Sequence, residues 1–172
     1  MRATHFVTVI LAAAASTVAA QPQPHRLRVW SDAFKANAPI PEEYTCNGTE
    51  ESPPLAWDRV PGDTRTLALL VDDPDANGGK QPFVHWMITN IPSTSGGVLA
   101  GESVPAGAMA GRNDKGTNGY TGPCPPSGKH HYHFRVFALD TAVARPNTRA
   151  EFFAAIRGHV LAEGELVATY EK

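Results

Sequence analysis

Polar residues with acid–base or anion-binding chemistry occur in three places along this sequence. The first is Asp72-Asp73-Pro74-Asp75, directly after an apolar run, and the second is His85, inside another apolar segment. The third is Gly122-Pro123-Cys124-Pro125-Pro126, followed by His130-His131-Tyr132-His133. Imidazole N–H, phenol O–H and loop amide N–H groups can bind a phosphate-like anion, and carboxylates can orient the imidazoles. These residue types together favour a site for a small anionic ligand.

Side-chain alternation sorts the histidines of the third group. Residues 131–139 are predicted to form a long strand, because apolar and polar residues alternate along it. His130 and Tyr132 fall on the face that becomes apolar further along the strand, whereas His131 and His133 fall on the opposite face. The apolar face should turn toward the core, which would place His130 and Tyr132 at the open end of that core.

His85 is expected to point to the same place, since it shares a face of its strand with Phe83 and Met87. Each group also has a simpler interpretation. His85 alone would be a core histidine with satisfied hydrogen bonds, and Asp73 and Asp75 would be turn formers around a proline.

The elements that must position these residues are mostly β. The predicted strands span residues 26–31, 66–71, 83–91, 131–139 and 165–170. Thr148 to Glu151 form a capping box that opens a helix, predicted to run to about Ala162 and to end before Gly164. Residues 96–129 are predicted to be a long loop, which is usually functional in a compact domain. The expected fold is two packed sheets with one or two peripheral helices.

Length and charge limit the function further. A chain of 172 residues is expected to form one domain, and 15 Lys+Arg against 17 Asp+Glu give a net charge of −2. The basic residues are scattered, which argues against a nucleic-acid binder and gives no attraction to anionic lipid.

The first twenty residues have the layout of a secretory signal peptide. Arg2 precedes a short apolar run at residues 6–15, and small residues precede a cleavage point after Ala20. The run is too short to span a bilayer, and a buried N-terminal helix is the alternative. We therefore predict a signal peptide over 1–20, a single domain over 21–172, and a periplasmic or secreted protein.

Cys46 and Cys124 are the only two cysteines, and export makes a disulfide between them possible. Two separate buried thiols are the alternative, because spacing alone does not set their distance. The absence of a close CxxC pair argues against structural zinc. Asp73 to Gly78 resemble the start of a calcium loop, but Val84 stands where a bidentate Glu is needed. We expect no metal and no other cofactor.

The three polar groups, in this order, resemble the motifs of the phosphatidylethanolamine-binding protein (PEBP) family. The segments that carry the resemblance are 72–76, 84–86 and 122–132. Residues 44–48 and 52–55 are similar to the bacterial Raf-kinase-inhibitor-like branch, and the resemblance covers about residues 27–172. It implies a two-sheet antiparallel β-sandwich with an anion pocket at one end, and a phosphate-bearing ligand such as a phospholipid head group.

The resemblance also assigns the ligand-binding residues. They are Asp73, Asp75, His85, Gly122, Cys124, His130 and Tyr132. Cys124 stands where animal members carry a second glycine, as in the bacterial branch. Kinase inhibition by animal members is not carried over, because an exported protein would not normally meet a cytosolic kinase.

Three functions follow as hypotheses. The first is a non-enzymatic, exported binding protein for a small phosphorylated or anionic ligand. The second is an inhibitor or interaction protein that acts on an exported protease or another protein partner. The third is a hydrolase that uses His85 or His130 as a base near Asp73. It is disfavoured because the sequence shows no nucleophile motif such as Gly-x-Ser-x-Gly.

Overall fold

The computed structural model describes residues 25–172, whose regular structure is mostly β. The predicted signal peptide, 1–20, lies outside the described residues. The strands are β1 (His25–Arg26), β2 (Arg28–Trp30), β3 (Leu55–Asp58), β4 (Thr66–Asp73), β5 (Phe83–Pro92), β6 (Gly97–Val98), β7 (Met109–Ala110), β8 (Lys129–Leu139) and β9 (Val160–Glu171). The α-helix α1 spans Arg149–Ile156, and short 3-10 helices span Glu42–Tyr44 and Ala76–Gly79.

The strands form two sheets, as predicted. The larger sheet has the order β1-β9-β8-β4-β5-β7 and is antiparallel except where β1 pairs in parallel with β9. The smaller sheet has the order β2-β3-β6 and is antiparallel. The predicted strand over 26–31 is split, because β1 joins the larger sheet and β2 the smaller one.

Strand β4 is buried on both faces, which explains its continuous apolar sequence. Leu67 and Leu69 belong to the main core cluster, and Leu70 packs in a second cluster with Phe152 of α1. Asp72 and Asp73, at the polar end of β4, are buried as well.

Strand β5 contains a bulge at His85. Val71 pairs with Trp86, but Asp72 pairs with Val84, so His85 is an extra residue relative to β4. The bulge shifts the alternation by one residue, and Met87 packs in the cluster beneath α1. The expectation that Met87 shares a face with His85 is therefore wrong.

Helix α1 begins as predicted and ends early. The Thr148 hydroxyl accepts a hydrogen bond from the Glu151 amide at 3.1 Å, which confirms the cap. The helix stops at Ile156 rather than near Ala162, and Gly158 adopts a positive φ of 81° in the turn that follows. Strand β9 then begins at Val160 and pairs with β8 along its length. The longer strand ladder overrides the helical periodicity of these residues.

The predicted loop over 96–129 is largely irregular, and its regular structure consists of β6, β7 and the first residue of β8. Its far end carries Cys124, which forms a disulfide with Cys46 across a Cα–Cα distance of 5.5 Å. The alternative of two separate thiols is thus wrong. A disulfide that closes the loop from Cys46 to Cys124 stabilises the folded state by about 4 kcal/mol in the chain-entropy account. Within residues 25–172, no helix is long and apolar enough to cross a membrane.

Candidate ligand-binding site

A cavity of about 320 Å³ opens at one end of the larger sheet, where its interior strand β4 ends and the neighbouring strands β5 and β8 begin. Antiparallel pairing brings these three strand ends together. Six of the seven predicted site residues line the cavity: Asp73, His85, Gly122, Cys124, His130 and Tyr132. Asp75 does not line it.

Asp73 organises the inner end of the cavity. Its side chain is buried, and its Oδ1 accepts hydrogen bonds from the amides of Asp75 at 2.8 Å and Ala76 at 3.1 Å. Its Oδ2 lies 2.7 Å from Nδ1 of His130. Asp73 therefore forms the turn, as the simpler interpretation expected, and it also orients the imidazole of His130. With Nδ1 committed to Asp73, Nε2 is the ring nitrogen of His130 left for a ligand.

His85 is held by the opposite wall of the cavity. Its Nδ1 lies 2.9 Å from the carbonyl oxygen of Thr121, and because a carbonyl only accepts, Nδ1 carries the proton. Burial lowers the pKa of His85, and the Thr121 hydrogen bond and nearby Asp73 and Asp72 offset this in part. The ring is therefore neutral at neutral pH, and its Nε2 carries a lone pair.

Tyr132 presents a buried hydroxyl that has no hydrogen-bond partner among the described residues. Only 1% of the residue is exposed, and burial raises its pKa, so the phenol keeps its proton. Its ring packs edge-on against His85 with the centroids 5.2 Å apart. A buried hydroxyl left without a partner is destabilising by about 1–3 kcal/mol. Tyr132 is also one of the residues that line the cavity.

Gly122 allows two loops to form one wall. A Cβ at this position would lie 2.8 Å from the carbonyl carbon of Thr45, which no backbone tolerates without moving. The Cys46 amide donates to the Pro123 carbonyl at 3.1 Å, next to the disulfide. The segments around Cys46 and Cys124 are thus joined by packing, a hydrogen bond and a covalent link.

Asp75 and the remaining strand histidines lie outside the cavity. Asp75 is exposed, and its Oδ2 accepts from the His131 amide and lies 2.8 Å from Nδ1 of His131. The side-chain hydrogen bond with His131 is the main cause that lowers the pKa of Asp75. His133 pairs with Glu165 at 2.7 Å. Residues 25–172 contain no group of three or more His, Cys, Asp or Glu side chains arranged to hold a metal ion.

Sequence reasoning missed part of the cavity wall. Thr121, which orients His85, lines it together with Asn77, Glu50 and Lys115. Lys115 and Glu50 form an ion pair, with Nζ 3.1 Å from Oε1. Asn77 lies in the short 3-10 helix Ala76–Gly79, and the other three lie in irregular segments, where no periodicity indicates which way a side chain points.

Comparisons with known proteins agree with this architecture. A family model described as phosphatidylethanolamine-binding protein matches residues 30–171. A UPF0098 protein of Methanothermobacter thermautotrophicus is 46% identical over 146 residues, covering 81% of this chain and 95% of that protein. The candidate lipoprotein LppC of Mycobacterium tuberculosis is 40% identical over 154 residues, covering 87% and 75% respectively. The crystal structure of Escherichia coli YbcL, described as a new member of the mammalian PEBP family, matches with a TM-score of 0.78 at 33% identity, covering 86% of this chain and 99% of that one.

The two neighbouring aspartates give a matched test of the site's architecture. Asp73→Asn should lower the free energy of unfolding by about 2 kcal/mol, because it weakens charge-assisted hydrogen bonds to a buried group. Asp75→Asn should lower it by less than about 1 kcal/mol, because its ion pair is exposed. Urea unfolding at neutral pH measures both. Equal losses in the two variants would contradict the central position given to Asp73.

Proposed function

The chain belongs to the phosphatidylethanolamine-binding protein family, and we propose that it is an exported, non-enzymatic binding protein for a small ligand that carries a phosphate or a similar anion. The observation that carries the proposal is the buried, unpartnered hydroxyl of Tyr132, a residue that lines the cavity together with His85 and His130. A tetrahedral anion has several acceptor oxygens, which can take up hydrogen bonds from donors on different walls.

The cavity volume supports a small ligand. At about 320 Å³ it lies at the low end of the range for small-molecule pockets, which is about 300–1,000 Å³. Such a volume suits a phosphorylated head group or metabolite and is too small to enclose acyl chains as well. Any lipid tail would have to remain outside the cavity.

The protonation states of Asp73 and His85 place a condition on anion binding. Asp73 is committed to three hydrogen bonds, and neutral His85 offers a lone pair at Nε2 rather than a proton. An anion oxygen facing this nitrogen needs a proton between them. Binding of a fully ionised anion is therefore expected to take up a proton at His85.

Two features support a non-catalytic role over a hydrolase. The cavity-lining residues with hydroxyls in the described chain are Thr121 and Tyr132, and neither hydroxyl is hydrogen-bonded to an imidazole. The His130–Asp73 pair resembles the orienting half of a base, but a nucleophile in reach is missing from the described wall. Binding without conversion accounts for the residues present.

Export is supported by three independent features. Residues 1–20 have the layout of a signal peptide, and a disulfide links Cys46 and Cys124. Disulfides persist in oxidising compartments and are rare in the cytosol. A similar protein of Mycobacterium tuberculosis is named as a candidate lipoprotein. We propose a periplasmic or secreted location.

An interaction role remains the second candidate, because Leu99 and Val104 are large apolar residues exposed by 73% and 40% on the long loop. These two residues are far fewer than a typical docking patch requires. If a protein partner uses this loop, its binding should survive loss of His85.

Calorimetric titration tests the proposed function. The protein without residues 1–20 should bind inorganic phosphate saturably, and His85→Ala should weaken binding about tenfold or more, since it removes a hydrogen bond to a charged group. His159→Ala is the matched control, because His159 is exposed and pairs with Asp140 away from the cavity. If the wild type shows no binding heat and no thermal stabilisation at millimolar phosphate, the proposed function is wrong.

Binding should also depend on pH. Burial lowers the pKa of His85, so the ring is neutral near pH 7 and must gain a proton to bind a fully ionised anion. Protonation becomes easier as the pH falls, and the affinity for an anion should therefore increase as the pH falls. Sulfate is the suitable probe, because its own charge is constant between about pH 6 and about pH 8. If one proton is taken up on binding, the affinity for sulfate should increase by up to about tenfold for each unit by which the pH is lowered. A constant affinity across this range would contradict proton uptake at the site.

A further inference from the structure

The cavity that we propose for an anion has little fixed positive charge. Its acidic lining residues among those described are Asp73 and Glu50, and its only lysine or arginine is Lys115. His85 is neutral at neutral pH, as its burial and its hydrogen bond to Thr121 require. The one permanent cation of the described wall is therefore Lys115.

Lys115 and Glu50 are partly exposed residues of the cavity lining, and the part of the lining that they form is called here the mouth of the cavity. The Nζ of Lys115 lies 3.1 Å from Oε1 and 3.3 Å from Oε2 of Glu50, so both carboxylate oxygens share one ammonium. The two side chains are 56% and 35% exposed. An ion pair this exposed contributes little to stability, so a ligand can exchange with it easily.

Glu50 shows a further sign of a fixed position. Its backbone has a φ of 55°, in the left-handed region that is uncommon for residues other than glycine. Such conformations persist where the surrounding structure imposes them. The disulfide at Cys46 fixes the same segment against the 121–126 loop, four residues before Glu50.

We propose that Lys115 is a specificity-determining residue that leaves Glu50 to bind the ligand's anionic group, and that the site accordingly prefers phosphate monoesters to phosphate diesters. The inference rests on the proposed function, because it concerns the same cavity. A monoester carries about two negative charges near neutral pH, and a diester carries one. A mobile ammonium at the mouth supplies the compensating charge that the inner wall lacks.

The preference distinguishes two sources of phosphate. The head group of an intact phospholipid is a diester, whereas a free phosphorylated metabolite or a head group released from lipid is a monoester. Glu50 would act as a holder that keeps Lys115 at the mouth while the cavity is empty. It would also oppose the entry of a second negative charge until Lys115 has moved.

Methyl phosphate and dimethyl phosphate test this by calorimetry at about pH 8, where the first is mostly a dianion and the second a monoanion. The wild type should bind methyl phosphate more tightly. Lys115→Met should weaken methyl phosphate about tenfold and dimethyl phosphate much less, because a charge-assisted contact is lost. Glu50→Gln should strengthen methyl phosphate binding by about two- to fivefold, since Lys115 is released from its partner.

Matched controls keep the outcomes distinct. Lys35→Met and Asp63→Asn make similar charge changes at exposed residues outside the cavity lining, and should leave both affinities unchanged. All four variants should keep the wild-type thermal midpoint within a few degrees. The side chains of Lys115 and Glu50 are at least one-third exposed, and Lys35 and Asp63 are exposed residues. If the wild type binds methyl phosphate and Lys115→Met binds it equally well, the role of Lys115 is wrong and the proposed function stands. If the wild type binds neither ester nor inorganic phosphate, both fail.

Discussion

A carboxylate buried at the end of an apolar strand must have its hydrogen-bonding capacity met, and at Asp73 this requirement shapes the site. Two amides of the following turn and one imidazole satisfy it. The turn directs the chain away from β4, and the imidazole fixes Nε2 of His130 as the free ring nitrogen. Loss of any of these hydrogen bonds would destabilise a buried carboxylate, so the side chains at the inner end of the cavity are held in a fixed geometry.

The neighbouring carboxylate ties the site to the rest of the fold. Alternation along β4 places Asp72 on the opposite face from Asp73, where it accepts hydrogen bonds from Arg135 and Arg149. Arg149 begins α1, and both guanidinium groups pack against Phe153. Two successive residues thus connect the cavity on one side of the sheet with the helix on the other.

Periodicity in the sequence sufficed to predict β4, β5 and β8, the second half of β9 and the orientation of His130 and Tyr132, because those features depend on burial. It failed where a local irregularity decided the outcome. The bulge at His85 moved Met87 to the other face, and the β8–β9 ladder ended α1 at Ile156. The bulge and the early end of α1 both depend on pairing between strands that are distant in the sequence, and a local sequence pattern carries no information on such pairing.

The composition of the cavity was predictable only in part for the same reason. Asp73, His85 and Tyr132 stand out as polar residues in apolar strands, and the family resemblance added Gly122 and Cys124. Asp75 carries a similar sequence signal but turns outward to His131. Glu50 and Lys115 lie in irregular segments that only the folded chain brings together.

The central claim is that an anion binds in the cavity against the imidazole of His85, which is neutral when the cavity is empty. Nuclear magnetic resonance of protein labelled with nitrogen-15 in its histidine rings tests it most directly. On saturation with sulfate at neutral pH, Nε2 of His85 should change from an unprotonated to a protonated resonance, and the exposed His159 should stay unchanged. A His85 Nε2 that keeps its unprotonated resonance at saturation would contradict the account.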